Sequence, residues 1–289
     1  METSSYMRDA KWIILIISGL LISALLILTF SRKGMIKKEK VMLVEYRTVH
    51  YTDEIAEIDS NQVAPLIYDC RIDFENLPSD FRKKKFIELL LPGILVVKYE
   101  LFKENARASH IWIRMKNNLP ISHKDSLFVL RLCEKYQTNN LFEIIQKEQV
   151  HPSSIIIAQA ALESGWGTSR LFIESNNLFG IWSYNSSDPR INSIYTRDGK
   201  SVFLKKYRTL KECIEDYFLI IANSWAYSDF RQKRLDIDDP FELMWYLSKY
   251  SETRYDYVKK IGEIMVQNDL KKFDNYSLSD KYMMELNVK

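Results

Sequence analysis

One acid in this sequence stands where an acid can move a proton. Glu163 closes the apolar run of residues 155–162 and is followed at once by Ser164, Gly165, Trp166 and Gly167. A carboxyl in an apolar setting loses solvation, which favours its neutral form and lifts its pKa toward the range where it works as a general acid. A glutamate at a helix end is ordinarily solvated or ion-paired. Here alanines precede it and a Gly-Trp-Gly break follows, where a surface helix would continue with charges. Downstream stands a polar and aromatic loop, Asn176, Asn177, Leu178, Phe179, Gly180, Ile181 and Trp182.

The element that must carry Glu163 follows from its neighbours. His151, Pro152, Ser153 and Ser154 open a helix, with Pro152 suited to a first turn. Ile155, Ile156, Ile157, Ala158, Ala160, Ala161 and Leu162 cover every face, so the helix is expected to be buried nearly all round. Gly165 is its natural stop. Gln159 lies four residues before Glu163 and shares its face. Two polar side chains in a buried helix require partners or a cleft.

These two segments resemble the glucosaminidase domains of glycoside hydrolase family 73, in particular the bacterial Bax-type branch. Three other stretches support the likeness: Leu77-Pro78 with Phe86 to Pro92; Tyr207-Arg208-Thr209-Leu210 leading to Asp216-Tyr217; and Tyr250 to Arg254 with Tyr257-Val258. The resemblance covers roughly residues 77 to 270. It implies a mainly α (α+β) fold, a lysozyme-like helical domain with a small β-hairpin lobe, and hydrolysis of peptidoglycan glycan strands at N-acetylglucosamine. Glu163 matches the family's general acid. Candidates for substrate contact are Gln159, Asn177, Trp182, Tyr184, Tyr227 and Tyr250. Trp182 and Tyr184 lead because they run from the Asn-Asn-Leu-Phe-Gly loop into the hairpin lobe. Trp166, between glycines, is expected to pack the turn that aims Glu163, and the two asparagines to hydrogen-bond the loop backbone.

Glycoside hydrolysis usually employs two carboxylates. Many family members carry a second Glu on the hairpin, but Tyr195 stands near that position here. Asp188 and Asp198 are the only carboxylates between Trp182 and Tyr207, and Asp198 reads as a turn residue. Two mechanisms stay open at this level: assistance by the substrate's own N-acetyl group, or water positioned by Asp188 or an unassigned group. Two further functional readings also stand, a non-catalytic wall-binding scaffold and a lytic transglycosylase or muramidase.

The rest of the chain organises around this centre. Its 289 residues, 46% hydrophobic and 27% charged, suffice for one packed domain with attachments. A formal charge of +3 gives no case for nucleic acid. The run Arg82-Lys83-Lys84-Lys85 reads as a solvated helix face. Cys70, Cys133 and Cys213 fit neither a disulfide framework nor a metal site, Cys133 and Cys213 reading as buried small hydrophobes. His50, His110, His123 and His151 have no ligand-like spacing, so no metal and no cofactor are expected. Periodicity predicts a helix over 81–99 interrupted at Pro92-Gly93, then helices over 100–117, 125–137, 140–148, 152–164, 169–174, 210–223 and 255–270, with one more after Asp239-Pro240. Residues 191–207 alternate around Asp198-Gly199, a strong hairpin signal.

Residues 12–30 are uncharged and rich in Ile and Leu, long enough for one membrane-spanning helix. Lacking a small-x-small cleavage site, they read as an uncleaved anchor. The expected division is a short tail at 1–11, the anchor at 12–30, a linker or stalk at 31–76, the glucosaminidase domain at 77–274 and a tail at 275–289. The basic cluster after the anchor favours a cytoplasmic domain. A peptidoglycan substrate requires the opposite, and it sets the expectation of a single-pass protein of the bacterial inner membrane with its domain facing the periplasm.

Overall fold

The computed structural model describes residues 37–197 and 200–288. In chain order these form β1 (Lys37–Met42), β2 (Glu45–Val49), β3 (Gln62–Val63), β4 (Leu66–Cys70), α1 (Ser79–Lys116), α2 (His123–Tyr136), α3 (Leu141–Lys147), α4 (Ser153–Ser164), α5 (Arg170–Ser175), β5 (Arg190–Arg197), β6 (Lys200–Lys205), α6 (Leu210–Asn223), α7 (Ser228–Lys233), α8 (Pro240–Leu243), α9 (Tyr255–Gln267), β7 (Ser277–Leu278) and β8 (Met283–Val288). The described residues are mainly helical, as expected, and hold four small two-stranded sheets where one hairpin was expected. Two units separate: the antiparallel pair β1–β8, and residues 43–282, which hold the site. The anchor expected at 12–30 lies outside the described residues. Among these, no helix is long and apolar enough to cross a membrane.

The long helix departs from expectation. Pro92 was expected to interrupt it, yet α1 runs unbroken for 38 residues, joining the two helices expected over 81–99 and 100–117. Proline costs a helix one hydrogen bond and a clash with the preceding turn. Burial outweighs that cost here, because Phe86 to Val97 of α1 are all buried. Gly93 permits the close approach of α6, since a β-carbon there would lie 3.2 Å from Ile214 Cδ1. Lys85 corrects the reading of a solvated basic run. It is buried, pairs with buried Glu88 at 2.9 Å and donates to the Ile55 carbonyl at 3.3 Å.

The stretch expected as a stalk is built into the fold from residue 43 onward. β2 and β4 pair in parallel, and Val49, Ile55, Leu66, Tyr68, Cys70, Ile72 and Phe74 join the same buried cluster as α1, α4 and α6. The expected C-terminal tail is likewise ordered locally, β7 pairing in parallel with β3. The β5–β6 hairpin is present, with Arg197 opposite Lys200, so two residues close it. Those two, Asp198 and Gly199, lie outside the described residues. Cys70 and Cys213 are buried free thiols; Cys133 is only half-buried.

The packing at Gly167 yields a test. Its φ of +83° lies in the left-handed region, and a β-carbon would meet the rings of Phe74 and Phe86 at 3.2 Å. Gly167→Ala is expected to lower stability by about 1–3 kcal/mol. Chemical denaturation checks this, and an unchanged midpoint would contradict the close packing.

Candidate active site

α4 is fixed at both ends. At its start, the Asp274 carboxylate accepts from the Ser154 backbone N–H at 2.8 Å and from the Ser154 hydroxyl at 2.7 Å. Lys98 Nζ donates to the neighbouring Ser153 hydroxyl at 3.0 Å. Acceptors at a helix N-terminus satisfy otherwise orphaned donors and favour the macrodipole. Every residue of α4 is buried except Leu162 and Glu163, which are half-buried. At its end, Gly165, Trp166 and Gly167 take left-handed φ values of 60°, 57° and 83°. The Ser164 hydroxyl donates to the Ala160 carbonyl and accepts from the Gly167 N–H at 3.1 Å, closing the turn. Trp166 packs edge-on against Phe86 at 5.7 Å, with the Lys83 ammonium over its ring at 5.4 Å from the centroid. It serves the turn, as expected.

The Asn-Asn loop is held by side chains rather than by a ladder. The Asn176 amide donates to the carbonyls of Tyr207 and Arg208 and to Asp69, while its oxygen accepts from the Cys70 N–H at 3.1 Å. The Asn177 amide donates to the carbonyls of Ile181 and Lys205, and its oxygen accepts from the Ile181 N–H. Asn177 is only 1% exposed with both ends of its amide engaged, so its place as a substrate contact is corrected: it is a loop staple. The staple presents Gly180 to the acid. A β-carbon there would stand 3.9 Å from Glu163 Oε2, and a φ of +66° suits glycine.

Beside this loop the wall is phenolic. Tyr250 stacks on Tyr257 at 5.4 Å and 11°, and Tyr227 lies 5.9 Å from Tyr250. The Tyr250 hydroxyl reaches the Phe179 carbonyl at 3.5 Å. The Tyr257 hydroxyl faces the Glu163 carboxyl. Burial pushes the pKa of Glu163 above the usual carboxylate range, and the Tyr257 hydroxyl opposes this only in part. Burial, with the nearby Glu163 charge, pushes Tyr227 up to about 12, and Tyr250 and Tyr257 well above their ordinary value. The acid is therefore faced by neutral hydroxyls.

The other expected site residues fall in three places. Tyr227 and Tyr250 do stand beside Glu163. Gln159 is fully buried beneath it, donating to the Tyr257 hydroxyl at 3.1 Å and accepting from the Tyr217 hydroxyl at 2.7 Å. It cannot touch a substrate, and its place as a substrate contact is corrected to one of support. Trp182 and Tyr184 form a pair 6.1 Å apart on the hairpin side, Trp182 bridging to Leu204 and Tyr184 standing 87% exposed. Asp188 accepts from the Ser183 hydroxyl at 3.2 Å, and its N–H donates to the Asn185 carbonyl, which makes it part of a local turn. The side chain of Tyr195 lies outside the described residues. The sequence reading missed Tyr257 and Gly180. The unmet hydrogen-bonding need of Gln159 and Glu163 was the signal for Tyr257, though it could not name the partner. Among the described residues no group of His, Cys, Asp and Glu is placed to hold a metal ion.

Residues 138–270 match the family model named Glucosaminidase and described as mannosyl-glycoprotein endo-beta-N-acetylglucosaminidase. This segment is similar to glucosaminidase domains. Protein bax of Escherichia coli is 30% identical over 94 residues, covering 32% of this chain and 32% of that protein. The exo-glucosaminidase LytG of Bacillus subtilis is 32% identical over 146 residues, covering 48% of this chain and 51% of the relative. The chain thus spans about a quarter to a half of the length of the curated relatives it matches. Among solved structures, the catalytic domain of the autolysin Auto from Listeria monocytogenes is 26% identical with a TM-score of 0.37, covering 50% of this chain and 80% of that one. The family segment contains Gln159, Glu163, Gly180 and all three tyrosines of the wall. Asp274, which caps α4, and all of α1 fall outside it.

The raised pKa of Glu163 gives a stability prediction of definite sign. A carboxyl whose folded pKa exceeds its unfolded value adds stability below the ordinary carboxyl range, and this is lost as pH rises through the folded pKa. Glutamine mimics the neutral form at every pH. Glu163→Gln is therefore expected to melt at or above the wild-type temperature at pH 8, with the two curves converging near pH 4. A variant clearly less stable than wild type at pH 8 would show that the carboxylate is favoured where it sits.

Proposed function

We propose that this protein is a peptidoglycan hydrolase that cleaves the glycan strand at N-acetylglucosamine, with Glu163 as its general acid. One observation carries this reading: within the glucosaminidase-family segment, a half-buried carboxyl with a raised pKa ends a buried helix beside a wall of neutral tyrosines. The substrate lies between the hairpin side, with Trp182 and Tyr184, and the Tyr227–Tyr250 wall, in a lysozyme-like arrangement. Sugar rings stack their apolar faces on such aromatics.

The chemistry follows from one acid. Glu163 protonates the glycosidic oxygen while the substrate's N-acetyl carbonyl oxygen attacks the anomeric carbon and the glycosidic bond breaks. Glu163, now a carboxylate, takes a proton from water as that water opens the cyclic intermediate. Substrate assistance of this kind dispenses with a protein nucleophile. It is favoured here because Asp188 is engaged by Ser183 in its own turn. The family description reads endo- and the Bacillus relative is named an exo-enzyme, so internal and end-wise cleavage are separated by product length. We also propose that residues 12–30 anchor the domain on the periplasmic face of the inner membrane. Degradation of the domain by protease in intact spheroplasts supports this, and protection until lysis rejects it.

On purified peptidoglycan, Glu163→Gln is expected to lose about 10²–10⁴-fold in rate, the usual contribution of general acid catalysis. Asp188→Asn and Asp198→Asn are expected to keep most activity, and de-N-acetylated glycan to resist cleavage. Mass spectrometry of the products should show reducing N-acetylglucosamine ends. Anhydro-muramyl ends would reassign the protein as a lytic transglycosylase, and the absence of any cleavage would make it a binding scaffold. A folded Asp188→Asn as inactive as Glu163→Gln would replace substrate assistance by a two-carboxylate mechanism.

A further inference from the structure

We propose that His151 is a positioning residue for Glu163: its Nε2–H is the fixed donor at the buried end of a one-way hydrogen-bond chain that aims the Tyr257 hydroxyl at the Glu163 carboxyl. The inference rests on the reading of Glu163 as the acid. Three hydrogen bonds join His151 to Tyr257. His151 Nε2 lies 2.9 Å from the Tyr217 hydroxyl, which donates to Gln159 Oε1 at 2.7 Å. Gln159 Nε2 donates to the Tyr257 hydroxyl at 3.1 Å, and that hydroxyl faces the Glu163 carboxyl. His151, Gln159, Tyr217 and Tyr257 are each at most 4% exposed, so water does not compete for these bonds.

Donor counting fixes the direction. With the imidazole proton on Nε2, Tyr217 accepts from His151 and gives its own proton to Gln159. The Gln159 amide then shows Tyr257 a donor and no acceptor, which leaves the Tyr257 proton for Glu163. The reverse direction requires the Gln159 amide flipped and the imidazole proton on Nδ1. Nδ1 has no hydrogen-bond partner, and rings of Phe218 and Phe230 stand 5.0 and 5.1 Å from the imidazole. An orphaned buried N–H costs about 1–3 kcal/mol and is rarer than an orphaned acceptor. Burial, together with the positive charges of Arg234 and Lys98, holds the imidazole neutral. Around Glu163 the titratable groups are the hydroxyls of Tyr227, Tyr250 and Tyr257. When Glu163 gives up its proton, the charge appears on an oxygen already facing an oriented O–H, with no reorganisation at that moment.

The test follows the Glu163 carboxyl by ¹³C NMR against pH, alongside kcat and KM on peptidoglycan, for His151→Phe, His151→Gln, Tyr217→Phe and the double variant His151→Phe with Tyr217→Phe. Freed from its fixed donor, the chain can turn either way and the carboxylate loses part of its support. His151→Phe is expected to raise the Glu163 pKa, move the alkaline limb of activity to higher pH and lower kcat about 3- to 30-fold at unchanged KM. His151→Gln keeps an N–H at that end and is expected to restore most of both. The double variant should lose no more than the worse single. Should His151→Phe fail to fold, Tyr217→Phe, which removes one oxygen, carries the same expectations. An unmoved titration in folded variants, or losses that add in the double variant, would overturn the proposal. The failure of the functional reading looks different: full activity in Glu163→Gln, or a wild type that cuts nothing, while the titration still decides the role of His151.

Discussion

The organising constraint in this protein is the burial of α4 on every face but the one that ends in Glu163. A helix without a polar side cannot be placed by water; it is placed only by what surrounds it. That is why its ends are so heavily specified. Asp274 and Lys98 tie down its first turn, and three successive left-handed residues end it. α1, β4 and α6 then pack around it, sharing one buried cluster. The position of the acid is thus a consequence of the core, and any slack in the core would be felt at the carboxyl.

The same burial sets the electrostatics. A cation beside Glu163 would hold it ionised and unfit to donate a proton. The structure instead surrounds it with phenols that burial keeps neutral. Desolvation raises the acid's pKa while a single oriented hydroxyl tempers the rise. Hydrogen bonds in such surroundings are stronger than in water, and leaving one unmade is correspondingly costly. This accounts for a chain of side-chain bonds running from Tyr257, which faces Glu163, back to His151 instead of an isolated carboxyl.

The two asparagines illustrate a division of labour between scaffold and surface. Each spends its whole amide on backbone or side-chain partners. What reaches the acid from that loop is Gly180, a residue with no side chain, and what reaches solvent is Tyr184. The loop's polarity is consumed in shaping it, and the tyrosine beyond its end is left exposed.

Much of this was legible in the residues. The apolar run of 155–162, the Gly-Trp-Gly stop and the Asp-Gly between alternating arms are local signals, and a short stretch of chain is enough to express them. So the helix that carries Glu163, its buried character and the hairpin could be read from the sequence. Other features were settled only in three dimensions, because their cause is distant in the chain. Pro92 passes through a helix because the core around it compensates. Residues 43–74 join the core because their apolar side chains meet α1 and α6, although their sequence reads as a linker or stalk. Asn177 and Gln159 look like ligand contacts as polar residues near an acid. Their partners, some 4 to 98 positions away, turn them inward. Tyr257 and His151 gain their roles for the same reason: the sequence shows that a buried Gln159 and Glu163 need partners, and only the packing of α9 and α6 against α4 decides which side chains those are.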